Sequence, residues 1–451
     1  MVVQHNLQAM NANRMLNITT GSQSKSAEKL SSGYRINRAA DDAAGLSISE
    51  KMRKQIRGLD QASTNAEDGV SAVQTAEGAL TEVHSMLQRM NELAVQASNG
   101  TNSKTDRDAI QSEIDQLTTE IDRVAETTKF NETYLLKGDA DGATKDVYMN
   151  GHDAGLKGTL TDGATTATFK VAAGALDDGK KVTIGGKEYT IGTAKDTVTT
   201  EVKKAATAGD QVTVNGKTYT YTTTGGAANN EEGWVEGTAT PAQGATLDIA
   251  KDKFEAADGD KITLKLNGKE AVDYSAADFD ADGVSKSDSS IISAAKAISL
   301  MEAELKSANN IGAVDSAATM GTKPTYASAT GAEFTINKGY ATVSEKLNFN
   351  LHVGSDADMT NKIAVNIDSM NSAGLGIKGI KADTEQDATY AIDAIADAIS
   401  TVSSQRSALG AVQNRLEHTI NNLDNVVENT TSAESRIRDT DMAEEMVNYS
   451  K

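Results

Sequence analysis

Apolar residues recur every seven positions in the first quarter of the chain. The series consists of Met52, Leu59, Ala66, Val73, Leu80, Leu87 and Ala94, and from residue 62 a second, mostly apolar or small series follows three positions after it. Such spacing places one apolar seam along a helix, and a sustained seven-residue repeat is typical of helices that supercoil together. Residues 46–98 therefore predict a helix about 80 Å long at about 1.5 Å per residue. A helix of that length is too long for one compact globular core.

A second helix is predicted directly after the first. Asn99 and Gly100 interrupt the apolar repeat, and Ser103 or Thr105 can cap a new helix. Apolar residues then recur at steps of four and three, at Ile110, Ile114, Leu117, Ile121 and Val124. We expect this helix to fold back over the first as a helical hairpin.

The C-terminal region carries its own heptad series. Its members are Ile395, Val402, Leu409, Leu416 and Leu423, with Thr430 and Ile437 in the same register. Neither long helix can bury its seam alone, so the two regions must pack on each other or on neighbouring molecules. Net charges of +5 in residues 1–57 and -7 in residues 385–451 favour their pairing, although each exposed ion pair contributes little.

The centre of the chain has a different composition. Of 37 glycines, 28 lie in residues 139–384, together with both prolines and the only tryptophan. Residues 181–191 and 211–221 form a weak repeat that residues 261–269 echo, and each is a β-run interrupted by Gly-Gly or Asn-Gly, which predicts hairpins. Residues 290–309 predict a helix, and 343–353 and 363–367 predict half-buried strands. The fold class is therefore mainly α: a long antiparallel, coiled-coil-like rod from both termini, with a β-rich central insert.

Composition excludes several functional classes. The 451 residues include no cysteine, which removes disulfides and thiolate chemistry, and the net charge of -20 disfavours nucleic acid and anionic lipid as partners. The N-terminus lacks the basic and apolar regions of a secretory signal peptide, and no apolar run reaches the length of a membrane helix. We therefore predict that the chain carries no cleavable signal, so that any export would follow another route, and we predict no cofactor, metal site or catalytic residue.

Two short motifs suggest chemistry but fit structural roles better. Residues 278–283 begin like a calcium loop, yet Ser289 stands where the bidentate glutamate is required. Residues 374–379 match the dinucleotide fingerprint GxGxxG without a plausible βαβ frame. We interpret them as a solvated acidic turn and a flexible strand-to-helix link.

Three longer motifs resemble bacterial flagellin, the subunit of the flagellar filament. They are SSGYRINRAADDAAGLSISEKMR (31–53), LQRMNELAVQASNGTN (87–102) and GAVQNRLEHTINNLDNVVENTTSAESRIRDTDMAEEMV (410–447), and the resemblance covers roughly 1–140 and 345–451. It implies five segments: an N-terminal filament-core arm (1–42), the N-terminal part of an inner rod (43–140), a variable outer β-rich insert of two subdomains (141–344), the C-terminal part of the rod (345–440) and the start of a C-terminal core arm (441–451).

The resemblance also implies a location and partners. Flagellins are extracellular filament proteins that serve motility, and they self-assemble with other flagellin subunits through helical seams. The expected partners are flagellar cap and junction proteins, the flagellar type III export apparatus and a secretion chaperone. The seam-packing residues predicted here are Met52, Leu59, Val73, Leu80, Leu87, Ile395, Val402, Leu409, Leu416 and Leu423.

Flagellins of several bacteria also engage the host flagellin-sensing Toll-like receptor of innate immunity. The matching positions are Gln88, Arg89, Glu92 and Leu93 on the first long helix and Glu113 on the second. Arg89 supplies a planar cation with several donors, and Leu93 would supply an apolar contact one turn on, a pairing suited to an interface hot spot. The alternative is that Arg89 is only solvated and Leu93 only core.

The chain differs from the flagellin pattern at its C-terminal end. Flagellins normally continue beyond the MVNYSK-like segment with an apolar helix, whereas this chain stops at Lys451. We expect the missing helix to pair with residues 1–40. The chain alone should then polymerise poorly, because Val3, Leu7, Met10, Leu16 and Ile18 lose partner surface.

Three other functions remain open at this point. A hook–filament junction protein would share the terminal architecture, although the 87–102 match and the large insert favour a filament subunit. The insert could bind glycan or mucin as an adhesin, which screening the isolated insert on glycans would test. A hydrolase in the insert is the least favoured, because 140–344 contains one histidine, His152, and no HExxH motif.

Overall fold

The computed structural model describes residues 7–139, 142–205, 207–225, 231–239 and 245–450. The helices are α1 (Leu7–Ser32), α2 (Ala43–Ala97), α3 (Lys104–Thr127), α4 (Lys195–Lys203), α5 (Ala294–Ala308), α6 (Glu385–Arg438) and α7 (Met442–Ser450). Val3 and Lys451, on which the expectation about polymerisation partly depends, lie outside the described residues.

Short strands occupy the region between the long helices. They are β1 (Lys129–Phe130), β2 (Thr133–Tyr134), β3 (Thr144–Tyr148), β4 (Thr159–Asp162), β5 (Thr166–Val171), β6 (Lys181–Ile184), β7 (Lys187–Ala194), β8 (Gln211–Val214), β9 (Lys217–Gly225), β10 (Glu231–Glu236), β11 (Ile249–Ala250), β12 (Lys261–Lys265), β13 (Val272–Ala277), β14 (Ile291–Ser293), β15 (Thr319–Met320), β16 (Ala332–Asn337), β17 (Tyr340–Ser344), β18 (Leu347–His352) and β19 (Lys362–Ile367). The mainly helical fold with a β-rich centre is confirmed.

Polar side chains at the helix ends determine where the long helices start. The Asp42 carboxylate accepts the Gly45 N–H at the start of α2, and Thr384 accepts the Asp387 N–H at the start of α6. Ser103 begins α3 with a capping box, in which its hydroxyl and the Asp106 carboxylate each accept the other residue's backbone N–H. These bonds satisfy amides that have no partner inside the helix.

The rod consists of α2, α3 and α6 around one hydrophobic core. Helices α2 and α6 run antiparallel, because Ser49 at one end of α2 pairs with Glu434, and Glu77 further along pairs with Arg406. Helix α3 adds Ile114 and Ile121 to the same core, and neither side chain is exposed. The arm, which we define as α1 and α7, extends from the α2 start and α6 end of the rod.

Within its described residues, the insert contains two multi-stranded sheets, one two-stranded pair and two main hydrophobic cores. The larger sheet has nine strands in the order β11-β10-β9-β8-β12-β13-β7-β14, with β6 also paired to β7, and the smaller has the order β15-β16-β5-β4. Phe169 and Phe334 pack at 6.2 Å between ring centroids in the core beside α5. Tyr221 and Trp234 pack at 5.2 Å in the core beside α4. Strands β3 and β17, from the two ends of the insert, pair antiparallel at its base.

Two predicted elements differ from the structure. The helix predicted over 290–309 begins four residues late, because 291–293 pair with β7 and Ser293 then caps α5. The strand predicted over 343–353 is two strands in different sheets, since β17 pairs with β3 and β18 pairs with β19. In both places long-range strand pairing overrides the local pattern.

Candidate assembly and recognition surfaces

The structure buries the predicted helical seam inside the rod. Val73, Leu80, Leu87, Ile395, Val402 and Leu416 have no exposed surface, Leu409 is 1% exposed and Leu423 is 6% exposed. Met52 and Leu59, nearer the arm, are half-buried. Helices α2 and α6 therefore cover most of each other's apolar seam within one chain.

Polar contacts set the register of the two seam helices. The Ser63 hydroxyl donates to the Asp424 carboxylate at 3.2 Å, and Arg406 lies 3.6 Å from Glu77. Gln405, which is 7% exposed, donates to the Asn366 carbonyl of β19 at 3.0 Å. A shift of one helix along the other would leave the buried Ser63 hydroxyl and Gln405 amide without these partners, which is costly.

The arm presents an apolar surface that the described residues leave uncovered. The exposed side chains on α1 are Leu7 (76%), Met10 (66%), Met15 (58%), Leu16 (65%) and Ile18 (58%). Those on α7 are Met442, Met446, Val447 and Tyr449. The two helices contact each other through Lys29 and Glu445 at 3.7 Å. Large contiguous apolar patches on a protein surface mark interaction sites.

An exposed polar cluster lies across α2 and α3. The Arg89 guanidinium donates to Glu113 at 2.9 Å and to Glu92 at 3.2 Å. These hydrogen bonds raise the pKa of Arg89 above its usual value, and the bond to Glu113 has the larger effect. Gln88, also exposed, lies 3.1 Å from the imidazole Nε2 of His84. The arrangement offers a cation and several hydrogen-bonding groups to a partner.

Leu93 does not belong to this exposed cluster. It is 2% exposed and packs in the rod core. The expectation of an exposed apolar contact at Leu93 is therefore not met. The heptad pattern places Leu93 beside the seam, within the core that α2 shares with α3 and α6.

The two short motifs occupy structural loops. The Asp278 carboxylate lies 3.0 Å from Lys286 Nζ and 3.1 Å from Lys195 Nζ, and these two hydrogen bonds hold its pKa below the usual value. Among the described residues, no three His, Asp or Glu side chains are arranged to hold a metal ion. The 374–379 segment is a loop before α6, and it inserts Leu375 and Ile377 into the rod core.

No helix in the described part of the chain is both long enough and apolar enough to cross a bilayer. The exposed side of α1 alternates its apolar residues with Asn, Thr, Gln and Ser.

Two family matches cover the rod helices and the arm. Residues 3–141 match the family described as bacterial flagellin N-terminal helical region, and residues 392–451 match the bacterial flagellin C-terminal helical region. A flagellin of Clostridium tyrobutyricum is 41% identical over 456 aligned residues, which cover 100% of this chain and 95% of that protein. Flagellin C of Vibrio cholerae is 34% identical, and the alignment covers 100% of this chain and 92% of that protein.

Solved structures with related chains are more distant. FliC from Burkholderia pseudomallei shares 19% identity at a TM-score of 0.24, covering 77% of this chain and 99% of that one. Flagellar hook-associated protein-3 from Legionella pneumophila shares 14% identity at a TM-score of 0.34, covering 86% and 98%. The family assignment accordingly depends on the sequence matches.

Proposed function

The chain belongs to the bacterial flagellin family and is a structural, non-enzymatic subunit of the extracellular flagellar filament, and from this premise we propose that it assembles chiefly through its arm. One observation carries the proposal: the apolar side chains of α1 are exposed, whereas those of the rod seam are buried within the chain. Burying such surface between subunits stabilises association by roughly 25 cal/mol per Å² of apolar area. The rod is then already folded in the monomer and does not need neighbouring subunits to bury its seam.

The difference in exposure between the arm and the rod also supports separate roles for separate segments of the chain. We assign residues 1–42 and 441–451 to the filament core, 43–140 and 345–440 to the inner rod, and 141–344 to the outer insert. The antiparallel pairing of β3 with β17 at the base of the insert supports these limits. The separate cores beside α4 and α5 support two subdomains in the insert.

Seeded assembly tests the role of the arm. Short fragments of flagellin filaments are supplied as seeds, because the chain alone is expected to polymerise poorly, and the fraction of the chain that they incorporate is measured by sedimentation. We expect Leu16→Glu to lower incorporation roughly tenfold or more, because the side chain is 65% exposed in the monomer and would carry an unpaired charge into the interface. Ser24→Glu, an equal charge change on the same helix at another exposed position, is the matched control.

The two variants separate an assembly role from a general charge effect. Equal incorporation of Leu16→Glu and the unsubstituted chain would overturn the proposal. Equal losses in Leu16→Glu and Ser24→Glu would assign the effect to charge rather than to the apolar surface. Circular dichroism of each monomer should remain unchanged, since neither side chain is buried.

Membership of the family supports further partners. We propose that flagellar cap and junction proteins contact the assembled subunit. We also propose that the type III export apparatus and a secretion chaperone handle the chain before assembly.

A second candidate function is recognition by the host flagellin-sensing Toll-like receptor. The exposed cluster of Gln88, Arg89, Glu92 and Glu113 supports it, since an arginine flanked by hydrogen-bonding groups is a frequent interface hot spot. Leu93 would act only indirectly, by packing beneath these residues in the core.

A receptor reporter assay tests this recognition. We expect Arg89→Ala to raise the concentration needed for half-maximal response roughly 10- to 30-fold, as loss of a hot-spot arginine does. Arg123→Ala is the matched control, because Arg123 is also exposed and also pairs with a glutamate three residues away, Glu120. Equal responses from Arg89→Ala and the unsubstituted chain would contradict the proposal.

A further inference from the structure

The chain passes between the arm and the rod at two places that lie side by side. Tyr34 and Asp439 form an isolated antiparallel bridge there. The Arg35 N–H donates to the Arg438 carbonyl at 2.7 Å, and the Thr440 N–H donates to the Gly33 carbonyl at 3.0 Å. Among the described residues, only this narrow pairing of backbones, which we call the joint, connects α1 and α7 to the long helices through main-chain hydrogen bonds.

One side chain connects the joint to helices α2 and α6 of the rod. Arg438 ends α6, and its guanidinium lies over the Tyr34 ring at 4.5 Å from the centroid. Its Nη1 lies 3.5 Å from Glu50 on α2 and 3.8 Å from Glu434 on α6. The Arg438 side chain is 15% exposed, and its contact with Glu434 is shielded from solvent on both sides, whereas Glu50 is 58% exposed.

The surroundings of Arg438 fix its position. Glu434 is itself 14% exposed and accepts a hydrogen bond from the Ser49 hydroxyl at 2.7 Å. Among the described residues, the buried Arg438 Nε has no hydrogen-bond acceptor. The guanidinium is thus held mainly by stacking and by its two carboxylates. A planar cation can stack on a ring and pair with carboxylates together, which the point charge of lysine does less well.

We propose that Arg438 is a clasp that holds the arm at a fixed angle to the rod. Its side chain contacts the first residues after α1, the start of α2 and the end of α6 at the same time. When Arg438 is in place, the backbone bridge between Tyr34 and Asp439 stays closed. When it is removed, Glu50 and Glu434 lose a shared counter-charge and the bridge opens frequently.

Amide hydrogen exchange of the monomer tests the clasp. We expect Arg438→Gln to speed exchange in peptides that cover 33–42 and 436–442 by about tenfold or more, because opening of the bridge exposes the Arg35 and Thr440 amides. Arg438→Lys should give a smaller increase, since it keeps the charge and loses the planar stacking. Arg53→Gln is the matched control: Arg53 lies 3.7 Å from the same Glu50, and among the described residues no ion pair joins it to Tyr34 or Asp439.

Two results would overturn the proposal. One is unchanged exchange at the joint in Arg438→Gln; the other is an equal increase in Arg53→Gln. A peptide covering 73–97, in the rod core, reports whether the rod itself stays folded. If Arg438→Gln also speeds exchange in that peptide, the variant Tyr34→Leu tests the proposal instead. It removes the aromatic ring beneath Arg438 and leaves the ion pairs of Arg438 in place. Tyr34→Leu must then open the joint while Tyr34→Phe keeps it closed.

Discussion

At the residue scale, the rod depends on apolar side chains that lose all contact with water. Leu80 and Leu87 on α2 and Val402 on α6 have no exposed surface. Complete burial of such a side chain stabilises the folded state by about 1.5–3 kcal/mol. Truncating one of them also leaves a cavity, because the neighbouring helices cannot close in fully.

Leu80→Ala is therefore expected to lower the free energy of unfolding of the rod by about 2–5 kcal/mol. The measurement is urea denaturation followed by circular dichroism. Glu82→Ala, on the exposed side of the same helix, should change it by less than about 0.5 kcal/mol. A loss below about 1 kcal/mol for Leu80→Ala would contradict the packing described here.

Which residues form the seam could be predicted from spacing, since the seven-residue repeat fixes one helix face. Which neighbouring positions are also covered could not. Leu93 lies beside the seam and is buried in the core that α2 forms with α3, α6 and the segments around them. Arg438 and Tyr34 lie within the family-like motifs, but their contact joins positions about 400 residues apart and leaves no local pattern.

At the element scale, capping residues decide where helices begin. Ser103 and Asp106 form the capping box of α3, and Thr105, the other candidate in the sequence, does not cap it. The hydrogen bonds from Ser103 hold the pKa of Asp106 below its usual 3.8. The stabilisation by ionised Asp106 is therefore fully present above pH 3.8 and is lost as the pH falls through the lower folded-state pKa.

Ser103→Ala is expected to destabilise α3 by about 1 kcal/mol at pH 7, the usual loss for an N-cap serine. The effect should shrink as the pH falls below 3.8 and through the lowered folded-state pKa of Asp106, because protonation removes the ionised acceptor. Local amide exchange in residues 104–112, followed from pH 7 downward through this range, measures it. Thr105→Ala is the control, and an equal effect at both positions would contradict the assigned cap.

Hairpins were predictable where the turn residues demand a particular backbone. Asn215 and Gly216 both have positive φ, of 49° and 87°, and connect β8 to β9 as the Asn-Gly pair predicts. The start of α5 and the division of residues 343–353 between two sheets were not predictable. Both depend on pairing with strands more than 90 residues away.

At the scale of the whole molecule, two helical ends and a β-rich centre follow from where glycine is concentrated. The order of the nine-stranded sheet does not, because β7 pairs in parallel with β13 and β14, which come much later in the chain. The resulting molecule has a rod whose seam is already buried and an arm whose apolar side chains are not. Assembly should therefore change the arm far more than the rod.

Amide hydrogen exchange of α1 in the monomer and in filaments grown on seeds tests this claim most directly. We predict that amides of residues 7–32 exchange at least about tenfold more slowly in filaments, because neighbouring subunits cover the helix. Amides of residues 73–97, in the rod core, should exchange at nearly the same rate in both forms. Equal exchange of α1 in monomer and filament, or protection that appears in the rod alone, would contradict assembly through the arm.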